Sequence, residues 1–421
     1  MLPLKPLPII ERWDCQSCGW CCRDAIVPLT DEDVAKLKLQ RWDQRPEFQG
    51  VKTVVRIRVG GAKAVLAQKA DGGCVFLTAE GRCRIHELHG LEAKPKVCQQ
   101  FPLQLVPLDG KIVVALRRSC PSAAKGEGRP VVEHLDALKK LLPASLDRLR
   151  PTPPAIIGGH TRDWADTRRV TDVFERMLRD ARYPLVRRIV HGLEFCDLLA
   201  ACSPRKLRRV ASADFAELVR VAEESACESA SEWFRERPAP TRGAATAFRQ
   251  AAADVLRLHE RFPRRPSWSQ RISLLRTVFA IARGKGRTPP LVPNYPVVDF
   301  AELERPLGAL DLQMIRPLDD YFQTLAASLR YCTLAYKKWS VVEGFRSLAL
   351  QFPIALWAWR WACGGNAAGV DELSAEKLIP IICCLDRAHT AGALTGWRHR
   401  HRCDVLAANG QLQRLVVWYA R

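Results

Sequence analysis

Cys15-Gln16-Ser17-Cys18-Gly19-Trp20-Cys21-Cys22 gathers four thiols into eight residues. Two cysteines separated by two residues can wrap a tight turn so that both sulfurs face one cation. Gly19, directly after Cys18, lets the backbone come close and aim N–H groups at sulfur. With Cys21 at the same interval the segment reads C-x2-C-x2-C, the run that encloses cubane iron–sulfur clusters. It does not have the C-x3-C-x2-C spacing of radical enzymes that cleave S-adenosylmethionine (SAM). Cys21 and Cys22 are neighbours, and neighbouring side chains diverge in a regular helix or strand. The expectation is that they serve different metal atoms, or that one is a spare thiol.

Gly72-Gly73-Cys74, Cys83-Arg84-Ile85-His86, Pro95-Lys96-Val97-Cys98 and Ser119-Cys120-Pro121 add four more thiols. Gly72 and Gly73 clear space beside Cys74. Phe101 and Pro102, following Cys98, would keep water from a cluster and so tune its potential. The candidate metal ligands are therefore Cys15, Cys18, Cys21, Cys22, Cys74, Cys83, Cys98 and Cys120. Eight thiols suit two four-coordinate sites, or one cluster with structural satellites. The expected cofactor is an iron–sulfur cluster of the 4Fe–4S kind, with zinc as the alternative, because all-thiolate sites accept both metals. His86 is expected to pack or to hydrogen-bond a sulfur rather than ligate, and His89 to lie on the surface. Cys332, Cys363, Cys383 and Cys384 sit in apolar helical patterns and read as small core hydrophobes.

The order C-x2-C-x2-C-C, G-C-x-F-L, C-x-I-H, P-x2-C-x2-F-P resembles the cysteine-cluster family described as zinc- or iron-chelating domains. Its best-described branch is the flagellin lysine-N-methylases. The resemblance spans Cys15–Cys120, less than a third of the chain, with a fainter likeness in Leu378–His389. It implies a bound metal and, in the named branch, methyl transfer from SAM to lysines of a protein substrate such as flagellin.

The elements that must position these thiols are small. Thr30 before Asp31, Glu32 and Asp33 is a strong helix start. TVVRIRV and AKAVLAQ flank Gly60-Gly61 and read as a hairpin. A second hairpin is signalled by LQLVPL and KIVVALR around Asp109-Gly110. Beyond residue 130 apolar residues recur at steps of three and four. The expected helices are Val131–Leu149, Ala165–Arg182, Leu185–Ala201, Ala213–Arg235, Ser267–Arg283, Leu318–Trp339 and Glu372–Ala388. Pro- and Gly-rich breaks at 150–160, 236–243 and 284–296 read as linkers, and no repeat of fixed period is visible. The fold class is α+β, predominantly α. A loop-rich metal-stabilised domain with short hairpins is expected over 1–122, followed by a large helical domain over 123–421.

Composition narrows the function classes. The chain has 421 residues, is 48% hydrophobic, and carries 65 Lys and Arg against 45 Asp and Glu, a net +20. That is ordinary globular composition, which excludes a disordered tail protein. The start, MLPLKPLPII, has no apolar core of a signal peptide. A cytoplasmic location is therefore expected, where clustered cysteines favour metal over disulfides. SLALQFPIALWAW (347–359) is too short to span a bilayer and reads as a buried helix, so no membrane partner is expected. The charge is evenly spread, which suits an acidic macromolecular partner. No zinc-finger, homeodomain or RNA-recognition signature points to specific nucleic-acid binding. No G-x-G-x-x-G fingerprint marks a donor pocket, and the spacing leaves the catalytic residues unidentified. Three classes stay open. They are an enzyme acting on protein lysine, a zinc- or iron-binding module without catalysis, and an iron–sulfur electron carrier or redox sensor.

Overall fold

A computed structural model describes the chain except at residues 1, 24–25, 60–61, 143–149, 258–267, 293–294, 307, 309, 337, 365–372 and 391. Its strands are short: β1 (Leu4–Pro6), β2 (Arg12–Trp13), β3 (Pro28–Leu29), β4 (Val54–Val59), β5 (Ala62–Leu66), β6 (Leu103–Leu108), β7 (Lys111–Leu116) and β8 (Arg129–Pro130). Five short helices accompany them: α1 (Asp31–Leu39), α2 (Arg84–His89), α3 (Lys96–Gln100), α4 (Pro121–Lys125) and α5 (Leu135–Lys139). Further helices follow, all but α8 long: α6 (Trp164–Arg179), α7 (Leu185–Ala201), α8 (Pro204–Arg209), α9 (Ser212–Glu236), α10 (Arg242–Leu256) and α11 (Trp268–Arg283). The chain closes with α12 (Phe300–Leu303), α13 (Leu312–Ala327), α14 (Val341–Ala362), α15 (Ala375–Thr390), α16 (Trp397–Ala407) and α17 (Gln411–Tyr419). The fold is helical-dominant α+β, as the periodicity indicated.

Local chemistry explains the site-bearing elements. Thr30 and Asp33 form a reciprocal cap on α1, with Thr30 Oγ1 accepting the Asp33 N–H at 3.1 Å and Asp33 accepting the Thr30 N–H at 3.0 Å. The other Asp33 oxygen accepts the Lys96 N–H at 2.9 Å, which ties α1 to the helix carrying Cys98. At the β6–β7 turn Asp109 and Gly110 both take positive φ, 34° and 70°, as a tight hairpin requires. β1 adds to β7 in parallel, giving the order β1-β7-β6. That strand is missing from the sequence reading. β4 and β5 pair antiparallel as expected, although their Gly60-Gly61 turn lies outside the described residues.

Two helix expectations need correction. Leu318–Trp339 was to be one helix, but α13 runs Leu312–Ala327 and the chain turns at Leu329, which has a φ of 52°. The turn swings Arg330 inward to reach Asp386 on α15. Val131–Leu149 breaks into a 3-10 turn at Val131–His134 and the short α5, with 143–149 outside the described residues. Positions 267 and 372, expected as helix starts, also lie outside them.

α14 is the centre of the helical body. Ser340 caps it, and Trp357, Trp359 and Trp361 are fully buried within it. The apolar 347–359 run is thus the buried helix its sequence suggested. Among the described residues no helix is long and apolar enough to cross a membrane. α7 crosses α14 so closely that a Cβ on Gly192 would stand 2.2 Å from the Phe345 ring.

The hairpin β6–β7 shares this large core through Val106, Leu108, Val113 and Ala115. A separate small cluster, around Trp42, Phe48, Phe76 and Ile85, backs the cysteine loops. A third lies around Leu116, Cys120 and Val131. Buried polar pairs lock these parts together. Asp386 accepts Arg330 Nη2 at 2.7 Å and the Ser119 N–H at 3.0 Å. Buried Glu11 accepts the Leu116 N–H and the Thr324 hydroxyl, each at 3.0 Å, and pairs with Arg118 at 3.2 Å.

Candidate metal centre

Seven of the eight candidate cysteines line one cavity of about 70 Å3, together with Lys94, His86 and Phe101. That is several times the ~10–15 Å3 one water needs. Cys74 lies behind the wall, buried in the small apolar cluster, with its N–H donating to the Cys22 carbonyl at 2.6 Å. Cys83 stands at the start of α2, Cys98 lies in α3, and Cys120 stands at the start of α4. No carboxylate lines the cavity among the described residues.

The Cys15–Cys22 loop is held from two sides. The Ser122 hydroxyl donates to the Asp14 carbonyl at 2.7 Å, and Arg129 pairs with the Asp14 carboxylate at 2.8 Å. Trp20–Cys22 forms a 3-10 turn entered from Gly19 in the left-handed region, with φ 68°. Within this turn the Cys21 and Cys22 sulfurs lie 3.9 Å apart, so these neighbours do not diverge as a regular helix or strand would force.

Burial and one lysine set the charge balance of the cavity. Burial pushes the Cys74 thiol up to about 12 and raises Cys98 and Cys120 as well. Cys22 moves the other way, held down by the thiol bond from Cys21 and then by Lys94 and Arg23. That bond pushes Cys21 upward. Lys94 is disfavoured by burial, but Cys83, Cys98, Cys15 and Cys21 around it hold its proton. Donors also face the sulfurs. The Phe76 N–H lies near Cys74, and the Ala123 and Ser122 N–H groups and the Trp13 indole lie near Cys120, each opposing the upward shift that burial imposes. Trp13 Nε1 is buried and makes no hydrogen bond among the described residues. Such N–H groups stabilise thiolate ligands.

Among the described residues no three His, Cys, Asp or Glu side chains stand close enough to hold a metal as placed. Chelation therefore requires the sulfurs to turn inward, which exposed Cys15 and Cys18 have room to do. All sixteen cysteines are free thiols. Cys332, Cys363, Cys383 and Cys384 are buried in the helical body, as expected of core thiols. His89 is exposed, and His86 borders the cavity with its pKa lowered by burial and by Lys94. Lys94 escaped the sequence reading, though its place just before Pro95 and Cys98 was a usable signal. Two larger cavities, of about 660 and 490 Å3, are lined by none of the eight candidate cysteines.

Gly19 has no spare room. A Cβ there would come 2.7 Å from the Gly81 carbonyl oxygen, in a backbone region side chains avoid. Gly19→Ala should cost about 1–2 kcal/mol and lower the metal retained against a chelator. Unchanged melting and retention would show that the loop tolerates a side chain.

Residues 14–121 match the CxxCxxCC family. The matching model carries the description "Putative zinc- or iron-chelating domain". The matched CxxCxxCC segment contains all eight candidate cysteines and ends next to Cys120. No curated protein and no solved structure matches the chain.

Proposed function

We propose that the CxxCxxCC segment binds zinc or iron through cysteine thiolates, and that the metal holds the cysteine loops in place beside the helical body. The observation that carries this reading is the convergence of seven cysteines, from four separate stretches, on a cavity without carboxylates. Such a donor set suits zinc and iron, whereas calcium and magnesium call for oxygen ligands. Bound metal supplies the positive charge that keeps buried thiols deprotonated, and a cluster of iron and sulfide would add electron transfer. The chain's own residues do the rest. Asp33 anchors the helix of Cys98, Phe101 shields the cavity from water, and Lys94 offsets thiolate charge.

The finer reading is a 4Fe–4S cluster, supported by the C-x2-C-x2-C spacing. Methylation of flagellin lysines with SAM as donor has its support in the family resemblance alone. A non-catalytic chelating module accounts for the same residues.

Full-length protein purified without oxygen should retain iron with acid-labile sulfide, or zinc. Cys18→Ser should retain less. A wild-type chain that holds neither metal while its thiols stay reduced would overturn the proposal. SAM binding would favour the methylase, and a reversibly reducible centre without SAM affinity a redox carrier.

A further inference from the structure

We infer that the eight thiols form two four-cysteine sites that abut at Cys21 and Cys22. Cys22, Cys74, Cys83 and Cys98 make one, and Cys15, Cys18, Cys21 and Cys120 make the other. This inference rests on the metal-binding reading above and deepens it.

The first set shares one support. Cys74 belongs to the small apolar cluster, and Cys22, Cys83 and Cys98 pack against that same cluster. A backbone bond joins Cys74 to Cys22, and backbone bridges pair Gln68 with Cys74 and Leu77 with Cys83. Cys22 and Cys83 are close electrostatic neighbours of both Cys74 and Cys98.

The second set is built on another support. Cys120 belongs to the cluster around Leu116 and Val131, against which Trp13 packs. The bonds from Ser122 and Arg129 to Asp14 seat the Cys15 loop beside α4, whose first turn follows Cys120. Cys120 lines the cavity together with Cys15, Cys18 and Cys21 and feels the charge of Cys18. Lys94 stands between the sets, beside Cys15 and Cys21 of one and Cys83 and Cys98 of the other.

Adjacency alone would not separate Cys21 from Cys22, since their sulfurs lie 3.9 Å apart. Their supports do: Cys22 packs against the apolar cluster that holds Cys74 and its carbonyl accepts the Cys74 N–H at 2.6 Å, whereas Cys21 is not among the residues of that packing. Two tetrahedral centres then use every thiol and leave no spare.

The test is titration of the reduced, metal-free, full-length protein with Zn2+ or Co2+ alone, without oxygen. Wild type should bind two metals. Cys83→Ser or Cys98→Ser should lose one and keep the other, as should Cys18→Ser or Cys120→Ser. The double variant Cys83→Ser/Cys98→Ser should still keep one, whereas Cys18→Ser/Cys83→Ser should keep none. Circular dichroism of each variant monitors the helical body, so a general folding failure is recognised. One metal in wild type, lost alike by every single variant, would overturn the partition while leaving metal binding intact. No metal in wild type would overturn the metal-binding reading itself.

Discussion

Stripping metal from the full-length protein should abolish hydrogen-exchange protection between Val27 and Cys98 while the helices from Trp164 onward keep theirs. The reason is the size of the apolar support. Around Trp42, Phe48 and Phe76 the buried cluster is small, and its sheet is β3-β5-β4, with strands of two to six residues. The helices in this stretch are α1, α2 and α3, of nine, six and five residues. Helices shorter than ~12–15 residues are marginal alone, and a core of this scale rarely supplies more than about 3–5 kcal/mol. A structural thiolate metal contributes about 10–16 kcal/mol of binding free energy, which exceeds that margin. Loss of only about 4 kcal/mol would speed exchange about a thousandfold. The helical body has the large core centred on α14 and needs no such staple. Equal protection of the Val27–Cys98 stretch with and without metal would mean that the metal is not structural.

The convergence of thiols was legible because cysteines at short fixed spacing, set among polar residues and glycines, have few uses besides holding a metal. The Thr30 cap and the Asp109-Gly110 turn were legible too, since each depends on residues within one turn of chain. What stayed hidden depends on distant partners. β1 pairs with β7 across more than a hundred residues of sequence, and nothing in LKP announces that partner. The helical periodicity of α11 was correct. Its apolar residues Trp268, Leu275 and Phe279 nevertheless face solvent, so period reports helix formation and not what covers the stripe. Buried charge was not read from the sequence at all. Asp386 in LIPIICCLDRAH and Arg330 after α13 are both buried and paired with each other. Apolar neighbours on both sides of Asp386 were the one available signal.

Asp386→Ala should therefore be among the most damaging single substitutions, costing about 3–5 kcal/mol in urea unfolding of the metal-loaded protein. The carboxylate is fully buried and accepts bonds from Arg330 and the Ser119 N–H, with Arg117 Nε 3.7 Å away. Removing it leaves the Arg330 charge buried without its partner, a larger loss than the net worth of the pair. It also frees Ser119, whose neighbour Cys120 is a candidate ligand, so metal should be held less tightly as well. Arg220→Gln, by contrast, removes ion pairs that lie in solvent on α9 and should leave the unfolding midpoint in place. Acid provides a second reading of the same pair. Burial alone would raise the Asp386 carboxyl, but Arg330 and Arg117 outweigh it and hold it below the ordinary carboxylate value. A carboxyl depressed in the folded state contributes its full stability above its unfolded pKa of about 3.9. That contribution declines as pH falls through the lower folded value. The stability gap between wild type and Asp386→Asn should accordingly be constant near neutrality and close as pH drops below about 4. A gap below about 1 kcal/mol at neutral pH for Asp386→Ala would show that α15 and the Ser119–Cys120 turn are held by packing rather than by this carboxylate.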